Sequence, residues 1–307
     1  MQRQARFDAT TLALLVLPPL FWAGNAVVGR FAAGLIAPMA LNALRWLLAG
    51  LLLLPFVWRD LRPHAAVMRR EWLVIAVLGV CGMGTYNALQ YLALTTSTAP
   101  NVTLIAASAP IFALGFGVLF FGQRIDGRRS LGAAVSIVGV LLVLVHGDFA
   151  RLLTLTFVPG DLFMLVASAL WSVYTWLLRT RRPPLPPMVL LFAQIALGSI
   201  FCVACALVEW LVFGKMSRFD TPAAAWVLAY VAVLPSLVGY LMWDRGVART
   251  GATLPIFFAN LAPVFAAILS ALLLSEWPQW YHAAGLAFIL LGIHLASRPA
   301  RGSGFNR

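Results

Sequence analysis

Arg45 lies within the apolar run Met39 to Trp58, which is long enough to cross a bilayer and holds no other ionisable side chain. A guanidinium at that depth costs at least about 2.5–3.5 kcal/mol on insertion scales, so it calls for a water-filled cavity, a polar partner or an anionic ligand. Its planar fork of N–H donors suits a carboxylate held by two parallel hydrogen bonds. Other polar side chains fall inside apolar runs in two groups: Asn25, Tyr86, Asn87, Gln90, Tyr91 and Asn101 in the first half, and Trp171, Tyr174, Gln194, Tyr240, Trp243 and Asp244 in the second. Helical spacing sharpens the set, since Trp22 and Asn25, Tyr86 and Gln90, and Tyr240 and Trp243 are three or four residues apart and can address a common space. The expected ligand-lining residues are therefore Trp22, Asn25, Arg45, Tyr86, Asn87, Gln90, Trp171, Tyr174, Gln194 and Tyr240. Amides and aromatic rings with polar tips suit a zwitterion or an aromatic metabolite. For Tyr91 and Trp243, near the ends of their runs, an interfacial aromatic belt is an equal alternative.

The elements that must position these groups are membrane helices. Of the 307 residues 62% are hydrophobic and 10% charged, and the mean hydropathy is +0.91, which excludes a soluble domain of this length. A bilayer core of about 30 Å needs about 20 apolar residues per helix. Ten such runs are read, at 11–30, 39–58, 72–94, 99–121, 130–147, 160–178, 188–212, 225–243, 252–274 and 280–297, with tight turns at Thr95 to Asn101 and Arg245 to Thr253. The first run follows Arg3 and Arg6 as a secretory signal would. It contains Pro18, Pro19, Trp22 and Asn25 and lacks a small-residue cleavage site, so it is read as a helix.

The net charge of +12 raises the question of nucleic acid, and the placement of the charges answers it. With a cytoplasmic N-terminus, seventeen of the 22 basic residues fall on the inner side, at the N-terminus, around Arg59 to Arg70, Arg124 to Arg129, Arg179 to Arg182, Arg245 to Arg249, and in the C-terminal segment. Arg30, Arg151, Lys215 and Arg218 fall outside. The basic excess therefore reports topology, with both termini cytoplasmic and no nucleic-acid partner.

Cys81, Cys202 and Cys205 lie in apolar runs and read as small buried hydrophobes without a disulfide framework. No H-E-x-x-H, G-x-S-x-G or carboxylate-rich motif occurs, so the chain is not expected to be an enzyme, and no cofactor or metal is expected. Glu209, Asp244 and Glu276 sit near helix ends. His146 and His294 are also terminal and read as interfacial, and Asp244 can pair with Arg245 or Arg249.

The two halves repeat each other. Trp22 and Arg30 match Trp171 and Arg179 at an offset of 149, while Ala109-Pro110, Gln123, Gly132 and Gly139 match Ala262-Pro263, Glu276, Gly285 and Gly292 at an offset of 153. Arg45 then corresponds to Gln194, and Asn87 to Tyr240. Five helices per repeat, over 1–150 and 151–307, make the second repeat enter the membrane from the opposite side. Inverted repeats place a binding site near the midplane and permit alternating access. Pro110 and Pro263 free backbone carbonyls at depth. The glycines seven apart on one face favour close helix packing over ligand contact.

Leu20-Phe21-Trp22-Ala23-Gly24-Asn25, Ala109-Pro110-Ile111-Phe112, Ala262-Pro263-Val264-Phe265 and the helix-ending Leu274-Ser275-Glu276 together resemble the EamA-type drug/metabolite transporter superfamily. Gln123 stands where the first repeat of that family usually carries a glutamate. The resemblance implies an all-α integral membrane protein of ten transmembrane helices, an inner-membrane location, and export of small metabolites such as amino acids. The expected partners are a small-molecule substrate and the lipid bilayer, with one chain sufficient for function. A channel or a flippase-like permease is the alternative; uniport, exchange and proton antiport are all compatible with the sequence.

Overall fold

The computed structural model describes residues 8–121, 127–150, 157–250, 258–259 and 261–297. Gln123, Arg3, Arg6, Arg124 and Arg151 lie outside the described residues, as do the side chains of Asp244 and Arg179. The described residues form helices and no strand: α1 (Ala9–Ala32), α2 (Pro38–Arg70), α3 (Trp72–Ala93), α4 (Ala99–Ala106, continued by Ala109–Phe121), α5 (Gly127–Leu144), α6 (Pro159–Thr180), α7 (Pro187–Phe213), α8 (Pro222–Val233, Leu234–Val238 and Gly239–Thr250), α9 (Leu261–Leu274) and α10 (Trp280–Ser297). Seven are long and apolar enough to cross a membrane. Segments within α5, α9 and α10 are shorter apolar helices.

Local sequence explains the boundaries. Proline, whose missing N–H costs nothing in a first turn, opens α2, α6, α7 and α8. Asp8, Thr98 and Thr221 cap α1, α4 and α8 through side-chain oxygens, and Gly214 ends α7 at φ 62°. Two boundaries depart from the hydropathy reading. α2 runs twelve residues past Trp58, to Arg70, because a polar segment rich in helix formers ends the apolar run without ending the helix. Arg245 to Thr250, read as a turn, continues α8 for the same reason.

The burial pattern is that of a membrane protein. Leu51, Phe56, Leu119, Phe120, Leu211 and Trp226 are exposed, while Asn25, Arg45, Asn87, Gln90, Asp161 and Gln194 are buried. Polar groups thus gather where helices meet, and apolar ones face outward.

Packing is exchanged between the halves: α1 lies against α8 and α9, α6 against α3 and α4, α2 against α7, and α5 against α10. On the α5–α10 seam a Cβ on Gly139 would press on the Gly285 carbonyl and one on Gly292 on the Gly132 carbonyl. These two contacts interchange under the 153-residue offset, and they make the two repeat-equivalent helices antiparallel. The glycines are the close-packing devices their spacing suggests. Along α4 and α6, Ser168, Ser172 and Trp176 donate in turn to the carbonyls of Ile105, Ala109 and Ala113. These bonds serve the stretch where Pro110 interrupts the backbone ladder.

One end of the bundle is tied shut. Ser217 and Arg218, between α7 and α8, bond to Ala37 and Leu35 between α1 and α2. Arg30 at the end of α1 pairs with Glu276 between α9 and α10 at 2.8 Å and donates to the carbonyls of Leu94 and Thr95 between α3 and α4. Ser97 of that turn bonds to Asp161 at the start of α6. All five of these connections therefore share one end.

Candidate functional site

The site is built by two local widenings of the helical ladder. π-helical turns occupy Val80–Thr85 in α3 and Leu234–Val238 in α8, at positions related by the repeat offset. A wider turn spoils the i to i−4 pattern and turns side chains to a new direction. Thr85 and Ser236 each donate to the carbonyl five residues back, at 3.0 and 2.7 Å, and Asn87 does so to Gly82 at 3.1 Å. Asn87 and Ser236 are thereby aimed at Arg45.

Arg45 is 2% exposed. Its Nε donates to Ser236 Oγ at 2.6 Å, and its Nη1 lies 2.8, 2.9 and 3.2 Å from Asn87 Oδ1, Tyr91 Oη and Asn25 Oδ1. Tyr91 also donates to Asn25 Oδ1 at 2.8 Å, and Asn25 Nδ2 donates to Gln90 Oε1 at 3.1 Å. The guanidinium carbon sits 4.8 Å from the centroid of the Trp46 ring. Every one of these partners is neutral. No described carboxylate bonds to Arg45, and no described partner takes a bond from Nη2.

Aromatic rings flank this cation on two sides. Trp22 meets Tyr240 at 6.2 Å and Trp243 at 5.2 Å, and Tyr240 meets Trp46 at 6.3 Å. Trp22 Nε1 donates to the carbonyl of Pro235, which the π-turn exposes. On the other side Tyr86 and Tyr174 each lie 4.9 Å from Trp171, and Tyr174 Oη donates to Gln194 Oε1 at 3.4 Å.

The structure thus gathers Asn25, Asn87 and Gln90 around Arg45, places Trp22 and Tyr240 on one wall, and places Tyr86, Trp171, Tyr174 and Gln194 on the other. Tyr91 is not part of an interfacial belt: it is 2% exposed and its hydroxyl faces Arg45. Trp46 and Ser236 were not singled out by the sequence. Trp46 reads as one more apolar residue of its run, and a lone serine in a membrane helix carries no signal until Pro235 and the π-turn beside it are considered. Asn101 lies elsewhere, beside Asp161, His146 and His282. His146 is correspondingly not a free interfacial group.

The sequence profile of the EamA-like transporter family matches this chain twice, over residues 9–145 and 158–298. The chain belongs to the EamA-like transporter family. Among relatives of this EamA protein, an uncharacterized transporter of Archaeoglobus fulgidus is 30% identical over 94% of this chain and 98% of its own length. An uncharacterized transporter of Bacillus subtilis is 24% identical over 92% of each chain. A probable terminal-alkyne amino-acid exporter of Streptantibioticus cattleyicolor is 26% identical over 78% of this chain and 77% of its own. A protein of known crystal structure shares the fold, with a TM-score of 0.62 at 21% identity over 94% of this chain and 96% of that one. The chain is a multi-pass membrane transporter. Its family and relatives are transporters, in keeping with the absence of an enzyme motif.

Proposed function

We propose that this transporter moves a small carboxylate-bearing metabolite, of the amino-acid class, out of the cell across the inner membrane by alternating access, with Arg45 holding the carboxylate. The observation that carries this reading is a buried guanidinium whose partners among the described residues are neutral oxygens and rings. Neutral partners orient a cation without cancelling its charge, so an arriving anion gains the full interaction in a medium of low dielectric. Nη2 is the donor left for it. Trp46 Nε1, also without an acceptor among the described residues, is a second donor on the same helix. The aromatic walls accept an apolar body or, through their faces, an ammonium group. The amino-acid exporter among the relatives points to the same substrate class.

The architecture in this reading is ten crossings in two inverted repeats, 1–150 and 151–307, with both termini cytoplasmic. Five alternate connections meeting at one end, and the antiparallel α5–α10 seam, are what a ten-crossing inverted pair requires. The end they form is poor in basic residues and is assigned to the outside. Both repeats reside in one chain, so a monomer is the transporting unit.

Reporter fusions after Arg182 are expected to read cytoplasmic and those after Lys215 external; the same side for both would remove the inversion. Single cysteines at Asn25, Tyr86, Gln90, Trp171, Tyr174 and Tyr240, in a background lacking Cys81, Cys202 and Cys205, are expected to react with a small hydrophilic thiol reagent and to be slowed by amino-acid mixtures. Inertness at all six positions would place them in the packing interior and overturn the pathway.

A further inference from the structure

The helix that carries Arg45 does not stop where its membrane crossing does. From Pro38 to Trp58 α2 covers about 30 Å, the depth of a bilayer core, and α3 covers that depth again from Trp72 to Ala93. Trp58 and Trp72 are 66% and 57% exposed, as tryptophans at a membrane–water boundary are. Residues 59–71 therefore leave one boundary and return to the same one, and they stay helical as far as Arg70. Their helix runs for about 18 Å along the headgroup layer. Pro63 within it removes a ladder bond and supplies a point of bending.

The two faces of this extension differ. Val57, Leu61, His64 and Met68, at steps of four, three and four, point toward the bundle: Val57 is buried, and Leu61 and Met68 pack with Val67 on the cluster of Ile75, Leu185, Val189 and Leu190 beside α3 and α7. Leu51, Pro55, Arg59, Arg62, Ala66 and Arg69 follow one another at steps of four or three along the opposite face, and every one is exposed. The side of α2 that meets lipid tails at Leu51 and Pro55 thus presents arginine once it has passed Trp58. Arg70 is exposed beside this row, and the exposed Arg181 and Arg182 lie a few residues before Leu185 of the same cluster. Against these arginines stand the carboxylates of Asp60 and Glu71, the latter paired to Arg70 at 3.0 Å.

The second repeat has no such element. The positions 149 residues further on, 208–219, begin with the exposed apolar side chains of Val208, Trp210, Leu211, Val212 and Phe213, and α7 then ends at Gly214. The basic extension is therefore no consequence of the repeat architecture, and it serves one face of the membrane.

We propose that segment 59–70, together with Arg181 and Arg182, is a binding surface for the headgroups of anionic phospholipids. Depth selects the partner: a face turned away from the bundle at the level of Trp58 and Trp72 meets the phosphates of the headgroup layer. A guanidinium takes a phosphate through two parallel hydrogen bonds, and each basic side chain at an anionic surface is worth about fivefold in affinity. Headgroups bound there hold the end of the helix that carries Arg45. Placing the surface in the inner leaflet rests on the topology proposed above, whereas the lipid preference does not.

The test is native mass spectrometry of the detergent-solubilised full chain, titrated with phosphatidylglycerol and, separately, with phosphatidylcholine of the same acyl chains. The wild type is expected to bind phosphatidylglycerol about tenfold more tightly. Replacing Arg59, Arg62, Arg69 and Arg70 together by Gln is expected to bring the two lipids within about twofold of each other. These side chains are exposed, so the unfolding midpoint is expected to stay at the wild-type value; the smaller Arg59→Gln, Arg62→Gln variant is expected to lose about threefold of the preference. Arg245→Gln with Arg249→Gln removes the same charge from another part of the chain and is expected to leave the preference intact. Equal affinity for both lipids in the wild type, an undiminished preference in the fourfold variant, or an equal loss in the Arg245 and Arg249 variant would overturn the proposal. A micelle has no sides, so reporter fusions that reversed the topology would overturn only the leaflet assignment, and failure of transport through Arg45 would leave the lipid preference standing.

Discussion

Arg45→Gln is expected to insert and fold as the wild type does, and to lose about 10–100-fold in substrate affinity. The magnitude follows from a hydrogen-bonded charge contact worth about 1.5–3 kcal/mol. Folding is spared because the substitution also removes the cost of burying a cation, and a glutamine amide can still donate to Asn87 or Tyr91. Glutamine is the residue at the repeat-related position 194, where it accepts from Tyr174. Arg45→Lys keeps the charge and loses the fork, and is expected to fall between the two. The measurement is the half-saturation concentration for efflux from loaded proteoliposomes, set beside the thermal unfolding midpoint of each purified variant.

Asn25→Leu is expected to do the opposite, destabilising the protein more than any change to Arg45. Asn25 Oδ1 takes bonds from Arg45 Nη1 and Tyr91 Oη, and its Nδ2 donates to Gln90. A leucine fills the space while leaving three buried groups on two helices, Arg45 on α2 and Tyr91 and Gln90 on α3, short of a partner, at about 1–3 kcal/mol each. The expected total is about 2–5 kcal/mol. Adding Arg45→Gln to Asn25→Leu should recover part of that loss, since the stranded charge goes with it. Additive losses in the double variant would show that Asn25 and Arg45 do not share one network.

Much of this site was legible in the sequence because an apolar helix makes any polar atom conspicuous. Arg45, Asn25, Asn87 and Gln90 stand out for that reason, and helical spacing brings them to common faces. Tyr91 was ambiguous for a physical reason: a tyrosine near the end of an apolar run serves equally at the headgroups or inward, and only the path of α3 against α1 and α2 decides. Ser236 and the two π-turns were not legible, since ladder registry depends on how neighbouring helices press on α3 and α8.

The fold was read well where hydropathy and helix coincide and less well where they part, as at Arg59 to Arg70 and Arg245 to Thr250. The cluster of Asp161, His146, Asn101 and His282 was missed because its members come from four helices and each sits at a helix end, where single polar residues are ordinary. Repeat symmetry gives no help there. Asp161 and His146 flank the junction between the two halves, outside the stretches that match.

In the proposed function a carboxylate-selective carrier operates through Arg45. Its most direct test is counterflow: proteoliposomes loaded with a panel of amino acids and small carboxylates, beside uncharged amide analogues of the same shapes, are diluted into trace labelled compound. Saturable uptake of label driven by the carboxylates, little by the amides, and loss of that preference in Arg45→Gln are expected. Equal flux for acids and amides, or an undiminished preference in a well-folded Arg45→Gln protein, would contradict it.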